Sequence, residues 1–238
     1  MPPSLFSVCV VECIQLRLVT SDRSHLNAPS PLPPPQQQQQ QQSGTDKSSL
    51  FHGFASFYDQ QLLRLKAPPT AILEVGVLRG ASLGAWAAKY PCADVTGLDA
   101  FALDDEPDVL YPRRYTVLKA DQEDPASLLS ATAHQSSYDI VVDDGGHTML
   151  QQQNTLQALW SKVKPCGLFI MEDLHTSYAH AHMMYHDYSP TTLDLITGRV
   201  NPNASPLVDY AKVLAEAVSV ELFHPHEDHV TAVIHKKC

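Results

Sequence analysis

Clustered basic residues are scarce in this chain. Its 238 residues include 16 Lys and Arg against 26 Asp and Glu, which gives a formal net charge of −10. Proteins that bind nucleic acid non-specifically neutralise phosphates with clustered Lys and Arg. We therefore expect no nucleic-acid partner and favour a small-molecule substrate.

Cysteines and long apolar runs are also few. The 5 cysteines are scattered and show no CxxC spacing, so we expect neither a disulfide framework nor a zinc site, and a reducing compartment is favoured. No apolar run approaches the roughly 20 residues that span a bilayer, and we expect no membrane partner. The apolar segment 5–19 lacks the basic start of a signal peptide. These features favour a cytoplasmic location and leave import into an organelle open.

The first 47 residues differ in composition from the rest of the chain. A proline-rich stretch at 29–35 leads directly into seven glutamines at 36–42. Proline favours the extended polyproline II conformation, and glutamine adds no apolar surface to bury. We predict a disordered Pro/Gln-rich leader over 1–47, followed by one domain over 48–238. The polyglutamine tract is either a tether or a site of association.

From residue 48 onward, helical and strand patterns alternate. Apolar spacing predicts helices at 49–66, 81–90, 125–134, 148–163 and 206–217, and short apolar runs predict strands at 71–75, 95–98, 115–120, 138–142 and 167–171. Such alternation requires parallel strand pairing, with helices on both faces of the sheet.

The last two apolar runs break this rule. Only residues 225–228 separate the runs 218–224 and 229–235, whereas a parallel crossover needs about a dozen residues. These runs therefore predict an antiparallel hairpin. The expected fold is α/β and Rossmann-like: a doubly wound, seven-stranded, mostly parallel sheet with a C-terminal antiparallel hairpin. A dinucleotide dehydrogenase would usually have about six parallel strands instead.

A glycine turn follows the first predicted strand. It reads Glu74-Val-Gly76-Val-Leu-Arg-Gly80-Ala-Ser82, and its glycines allow a tight turn close to a ligand. Ser82 starts the next helix, where free N–H groups can bind a carboxylate. Val77 and Leu78 stand where a GxGxxG turn needs its second glycine, which disfavours a pyrophosphate.

Acidic residues also follow the second and third strands. Asp99 can accept hydrogen bonds from both hydroxyls of a ribose, and Asp121-Gln122 can contact an adenine edge or the ribose. The alternatives are an ordinary turn aspartate and a helix-capping acidic cluster.

Two acid pairs follow the fourth and fifth strands, in Asp143-Asp144-Gly-Gly-His147 and in Glu172-Asp173-Leu-His175. Carboxylates at neighbouring strand ends repel each other, and their pKa values rise, unless a cation neutralises them. Oxygen ligands suit Mg²⁺. Imidazole side chains can take up a proton near neutral pH, so His147 suits a general base. The alternative is helix capping beside a structural histidine.

Histidine is frequent in the last third of the chain. The His/Tyr-rich segment 175–188 is either a substrate-facing loop or a transition-metal site. Three further histidines flank the turn of the predicted hairpin, and we expect them to be solvated: His224, His226 and His229.

Four motifs resemble those of the macrocin/mycinamicin-type sugar O-methyltransferases, a group that includes cephalosporin hydroxylase-like proteins. They are Ile72-Leu-Glu-Val-Gly-Val-Leu-Arg-Gly-Ala-Ser-Leu83, Ala120-Asp-Gln122, Asp143-Asp-Gly-Gly-His147 and Ile170-Met-Glu-Asp-Leu-His-Thr-Ser-Tyr178. The resemblance covers about 50–180 and the terminal hairpin. One departure is Gly146, where the family commonly has serine.

The resemblance implies a class I methyltransferase that uses S-adenosylmethionine (SAM) and Mg²⁺ to methylate a hydroxyl of a small molecule, such as a sugar or a glycosylated metabolite. It implies that His147 is the base and that Asp144, Glu172 and Asp173 hold the metal. The implied SAM contacts are Glu74, Gly76, Ser82, Asp99, Asp121, Gln122 and, near the methyl group, Asp143.

Other functions stay open at this point. A catechol-type O-methyltransferase shares the metal chemistry, and a regulatory module could bind SAM without catalysis. An NAD-linked oxidoreductase needs the missing GxGxxG turn, and a hydroxylase needs two histidines and a carboxylate arranged around iron. The sequence leaves the methyl acceptor and a homo-oligomeric state open.

Overall fold

The computed structural model describes residues 54–101, 114–224 and 229–238, with side chains from residue 57 onward. The predicted leader 1–47 and the start of the predicted helix 49–66 lie outside these residues. The strands are β1 Ala71–Val75, β2 Asp94–Asp99, β3 Thr116–Lys119, β4 Tyr138–Asp143, β5 Val163–Met171, β6 Ala217–Phe223 and β7 Thr231–Lys236. The helices are α1 Phe54–Leu62, α2 Ala81–Lys89, α3 Pro125–Ala131, α4 Met149–Leu159, α5 Thr192–Ile196 and α6 Tyr210–Glu216.

All seven strands form one sheet in the order β3-β2-β1-β4-β5-β7-β6. Strands β1 to β5 pair in parallel, whereas β7 is antiparallel to both β5 and β6. The predicted seven-stranded, mostly parallel sheet with a terminal antiparallel hairpin is confirmed.

Two apolar cores cover the two faces of the sheet. Alternating side chains of the central strands point to opposite sides, so that Leu73 belongs to one core and Ile72 to the other. The core that contains Leu73 also includes buried residues of α3 to α6. The core that contains Ile72 includes buried residues of α1 and α2. Both faces are therefore covered, as the doubly wound fold requires.

The predicted helix 148–163 ends earlier than expected. A capping box at Thr148 and Gln151 starts α4, but the helix stops at Leu159, and Val163 already pairs with Tyr138 at the start of β5. A 3-10 turn, Trp160–Lys162, follows the helix and leads directly into β5. The predicted helix 206–217 also begins late, at Tyr210.

The order of the strands determines where a ligand can bind. Strand β1 has β2 on one side and β4 on the other, so the strand order reverses between β1 and β4. Ligands of open α/β sheets bind at the carboxyl ends of the strands at such a point. The register pairs Val75 with Asp143 and Asp143 with Met171. The residues that follow β1, β4 and β5 therefore lie side by side.

A disulfide corrects the expectation drawn from cysteine spacing. Cys166 and Cys238 are bonded across a sequence separation of 72 residues, and Cys92 is also disulfide-bonded. The antiparallel pairing of β5 with β7 brings Cys166 and Cys238 together, which spacing alone does not reveal. Disulfides are rare in reducing compartments, so this bond argues against the reducing compartment that the scattered cysteines favoured.

Among the described residues, no helix is long and apolar enough to cross a membrane.

Replacement of Cys238 by Ser should destabilise the fold. The bond closes a long loop, and removing such a constraint on the unfolded chain typically costs about 2–4 kcal/mol. Guanidinium unfolding measures the loss, with Lys237→Ser as the control next to it. If both variants unfold at the same denaturant concentration, the Cys166–Cys238 bond does not stabilise the protein.

Candidate active site

The glycine turn after β1 is shaped by the neighbouring strand. Gly76 has φ +91°, and a Cβ atom there would lie 2.0 Å from the carbonyl oxygen of Asp144. Gly76 is therefore required by backbone packing against the turn after β4, in addition to any ligand. This close approach places the predicted cofactor turn directly beside the predicted metal residues.

Glu74 is buried and engaged by protein donors. Its Oε1 accepts a hydrogen bond from the Ser82 hydroxyl, and its Oε2 accepts one of 2.7 Å from the indole nitrogen of Trp86. The carboxylate thus ties β1 to the first turns of α2. The SAM contacts predicted for Glu74 and Ser82 stay predictions, and the structure gives both residues a part in shaping the turn.

Asp99, at the end of β2, holds the glycine turn from the other side. Its Oδ2 accepts hydrogen bonds from the backbone N–H groups of Val77 (2.9 Å) and Leu78 (3.4 Å). Its Oδ1 accepts one of 2.9 Å from the N–H of Phe101. The side chains of Leu78 and Phe101 are 87% and 79% exposed. Their apolar surfaces lie beside the Asp99 carboxylate. Such an arrangement suits a nucleoside, whose base is flat and apolar on its faces and whose ribose carries hydroxyl groups.

Gln122 connects the turns after β3 and β4. Its amide nitrogen donates to Asp143 Oδ1 at 2.8 Å and to Thr155 Oγ1 at 2.9 Å, and its oxygen accepts a 2.7 Å bond from the N–H of Gly146. The preceding Asp121 is exposed, and its carboxylate accepts from the N–H of Glu123 at 2.9 Å. Asp121 is thus the more accessible of the two predicted cofactor residues.

Asp143 is almost completely buried at the end of β4. Its Oδ2 has no hydrogen-bond partner among the described residues, and only Oδ1 receives the Gln122 amide. Burial, followed by the neighbouring Asp144 charge, raises the pKa of Asp143 to about 8. The group is therefore largely protonated near neutral pH and contributes little to the negative charge of the site.

Three predicted catalytic and metal residues meet just beyond β4 and β5. Asp144, His147 and Asp173 each bring one ligand atom within 4.8 Å of the others, and His147 Nε2 lies 3.3 Å from Asp173 Oδ2. His147 and Asp173 have φ values of 61° and 56°. Such left-handed conformations cost about 1–3 kcal/mol each in residues other than glycine, and they occur often at functional sites.

Glu172 does not belong to this group. It is 3% exposed, and its Oε1 accepts a hydrogen bond from the hydroxyl of Tyr58 in α1. The metal role predicted for Glu172 therefore stays a prediction. The interaction with Tyr58 was missed because no sequence signal links two residues that are 114 positions apart.

The hairpin places His229, which we expected to be solvated, next to Asp173. His229 is half-buried, and its Nδ1 lies 2.9 Å from Asp173 Oδ1, so the expectation that it is solvated is wrong. His175 Nδ1 lies 3.7 Å from the same oxygen.

The remaining histidines of the His/Tyr-rich segment 175–188 do not approach Asp173 in this way. Among the described residues, His180, His182 and His186 join no candidate metal group, and Met183 in the same segment is 87% exposed.

The donor set at the end of β4 and β5 fits a hard divalent cation. Asp144 and Asp173 supply carboxylate oxygens within one group, and Mg²⁺ is commonly bound by one or two carboxylates with waters completing its octahedron. SAM is positively charged at its sulfur, and this acidic strand edge is electrostatically suitable for it. Asp144 and Asp173 are thus the described residues best placed to hold Mg²⁺.

Known proteins resemble this chain over part of its length, although no protein-family model matches it. A tetracenomycin rhamnosyl 3'-O-methyltransferase of Streptomyces olivaceus is 31% identical over 144 residues, or 56% of this chain and 35% of that protein. The demethylmacrocin O-methyltransferase of Streptomyces fradiae is 30% identical over 141 residues, or 56% of this chain and 35% of that protein. The chain thus spans about a third of the length of these relatives.

A solved structure has the same fold. The MycE methyltransferase of the mycinamycin pathway, in complex with Mg, SAH and mycinamycin VI, is 24% identical with a TM-score of 0.66. The match covers 86% of this chain and 55% of that one. Together with the sequence relatives, it confirms the predicted resemblance to macrocin- and mycinamicin-type sugar O-methyltransferases and the Rossmann-like methyltransferase fold.

Replacement of Gly76 by Ala tests the contact between the two turns. We expect a loss of about 3 kcal/mol or more in unfolding free energy, because the new Cβ meets backbone as well as a strained φ. Gly198→Ala is the matched control, since Gly198 has φ +70° but nothing within 4 Å of an added Cβ. Equal losses in urea unfolding would show that the turns are not in contact.

Replacement of Asp143 by Asn tests the buried carboxyl group. Its pKa is raised from 3.8 to about 8 in the folded state, so the unfolded chain releases this proton first as the pH rises. The wild type should therefore lose stability between about pH 4 and pH 8 through this group. Asp143→Asn should remove that loss and melt at a higher temperature at pH 8, measured with EDTA present. An unchanged pH dependence of the melting temperature would contradict the assignment.

Proposed function

We propose that the chain is a SAM-dependent, Mg²⁺-dependent O-methyltransferase that acts on a hydroxyl of a small glycosylated molecule. The observation that carries the proposal is the meeting of Asp144, His147 and Asp173 beside the glycine turn. An imidazole and two carboxylates thus lie next to the glycine turn. The similarity to sugar O-methyltransferases supports this reading.

His147 is the proposed general base. Nδ1, the ring nitrogen not directed at Asp173, would take the proton of the acceptor hydroxyl as the oxygen attacks the methyl group. Asp173, whose Oδ2 lies 3.3 Å from Nε2, would accept the Nε2–H, orient the ring and stabilise the resulting imidazolium. When bound, Mg²⁺ would lower the pKa of the acceptor hydroxyl, and SAM would supply the methyl group.

The metal and cofactor contacts are divided among the strand ends. Asp144 and Asp173 would hold Mg²⁺, and Glu172 would join them if its hydrogen bond with Tyr58 opened. The SAM site would consist of the glycine turn and the acids after the next strands. Its proposed residues are Glu74, Gly76, Ser82, Asp99, Asp121, Gln122 and Asp143.

Asp99 would have a direct role in that site. Its carboxylate already lies at hydrogen-bonding distance from the turn, so a ribose placed there would meet both the carboxylate and the backbone. Phe101 and Leu78 would pack against the adenine, since both are exposed beside Asp99. Glu74 and Ser82 would act mainly by holding the first turn of α2 in place.

The acceptor is proposed to be partly apolar. The named relatives methylate a rhamnosyl tetracenomycin and demethylmacrocin, and the exposed side chains of Met183 and Met184 could cover an apolar part of the acceptor. We propose that 48–238 forms the methyltransferase domain. A cytoplasmic location and a homo-oligomeric state stay predictions, the first of them in tension with the Cys166–Cys238 disulfide.

Radiolabelled methyl transfer tests the proposal. The chain is incubated with labelled SAM and a panel of rhamnosylated and macrolide acceptors, with a simple catechol for comparison. We expect transfer to a glycosylated acceptor, loss of transfer with EDTA and recovery with Mg²⁺. Transfer to the catechol alone would favour the catechol-type alternative, and SAM binding without transfer to any acceptor would favour the regulatory module.

Replacement of His147 by Ala tests the base. We expect kcat to fall by about 10²–10⁴-fold, as for loss of a general base, with little change in SAM affinity. His134→Ala, at an exposed site in the turn after α3, is the control. A His147→Ala enzyme with a wild-type rate would rule out this role.

A further inference from the structure

Asp173 has a second set of neighbours besides Asp144 and His147. Its Oδ2 is the atom nearest to His147, at 3.3 Å. Its Oδ1 instead lies 2.9 Å from His229 Nδ1 and 3.7 Å from His175 Nδ1. The two oxygens of one carboxylate thus take part in two different groups of side chains.

The fold holds the two histidines beside this oxygen. His175 lies in the short 3-10 turn Leu174–Ser177 that follows β5, and His229 lies just before β7. The N–H of Leu174 donates a 2.8 Å hydrogen bond to the carbonyl of Val230, which joins the turn to the hairpin. The imidazole rings consequently lie 4.8 Å apart between centroids.

We propose that Asp173, His175 and His229 form a metal site for a late first-row divalent cation such as Zn²⁺. One ligand atom from each residue lies within 4.8 Å of the others. Ligands around a tetrahedral ion with bonds of about 2.0–2.1 Å lie roughly 3.3 Å apart. The distances from Asp173 Oδ1 to His229 Nδ1 and His175 Nδ1, 2.9 and 3.7 Å, lie on either side of that value.

The chemistry of the ligands separates this site from the Mg²⁺ group. Two imidazoles and one carboxylate suit Zn²⁺, Co²⁺, Ni²⁺ or Fe²⁺, whereas Mg²⁺ prefers oxygen ligands. The carboxylate of Asp144 belongs to the other group that includes Asp173, and it supplies an oxygen ligand there. The carboxylate of Asp173 would therefore bridge a nitrogen-rich site and an oxygen-rich site.

A simpler reading is that the histidines only hold Asp173 in its left-handed conformation. The contact with His229 is a hydrogen bond and serves that purpose. The 3.7 Å between His175 Nδ1 and Asp173 Oδ1 is longer than a hydrogen bond. His175 Nδ1 therefore does not hold the Asp173 carboxylate through a hydrogen bond. The same separation is, however, compatible with two ligand atoms of one metal ion.

Co²⁺ titration of the full chain tests the site, after EDTA treatment and without SAM or acceptor. Nitrogen-ligated Co²⁺ of low coordination number absorbs strongly in visible light. We expect one such site in the wild type, displaced by Zn²⁺ but not by millimolar Mg²⁺. The matched control is His182→Ala, because His182 lies in the same His-rich segment and joins no candidate metal group among the described residues.

Variants assign the ligands. His175→Ala and His229→Ala should each weaken Co²⁺ binding by about 100-fold or more, whereas Asp144→Asn should retain the absorption band. Wild-type binding in both histidine variants, or loss of the band in Asp144→Asn alone, would overturn the proposal. Circular dichroism of each variant checks that it is folded.

X-ray absorption of the Zn²⁺-loaded wild type avoids variants altogether. Scattering from two imidazoles is expected, and a shell of oxygens alone would overturn the site. These measurements involve no methyl transfer. Failure of the proposed enzymatic activity would therefore leave their outcome unchanged.

Discussion

Four carboxyl groups crowd the ends of two neighbouring strands, and much of the site follows from how their charge is accommodated. Burial, followed by the neighbouring charge of Asp144, raises the pKa of Asp143 to about 8. Glu172 accepts a hydrogen bond from Tyr58. Asp173 is surrounded by histidines. The three carboxyl groups thus have different surroundings. As a result, Asp144 and Asp173 are the acids best placed to bind a cation.

The backbone brings these groups to the cofactor turn. Strands β1, β4 and β5 are adjacent and parallel, so their carboxyl ends meet at one edge of the sheet. Gly76 approaches the carbonyl of Asp144 so closely that no side chain fits between them. A methyl donor bound at the turn would therefore lie next to a base and a metal. This proximity would supply much of the rate enhancement in methyl transfer.

Sequence reasoning found the features that depend on local pattern. Strand periodicity predicted all seven strands, and the short connection 225–228 predicted the reversed one. Residues directly after the strands could be placed at one edge because parallel strands end together. Contacts between distant segments were missed: the Cys166–Cys238 bond, the hydrogen bond from Tyr58 and the position of His229. To predict these contacts, one must know the register of the hairpin or the position of α1, and no local sequence pattern determines either.

Isothermal titration with SAM and with NAD tests the central claim, that the ends of β1, β4 and β5 form a methyl-donor site beside a magnesium site. We expect SAM to bind with a stoichiometry of about one per chain and NAD not to bind. We also expect Asp144→Asn to abolish Mg²⁺ binding while SAM binding persists. Binding of NAD without binding of SAM would contradict it.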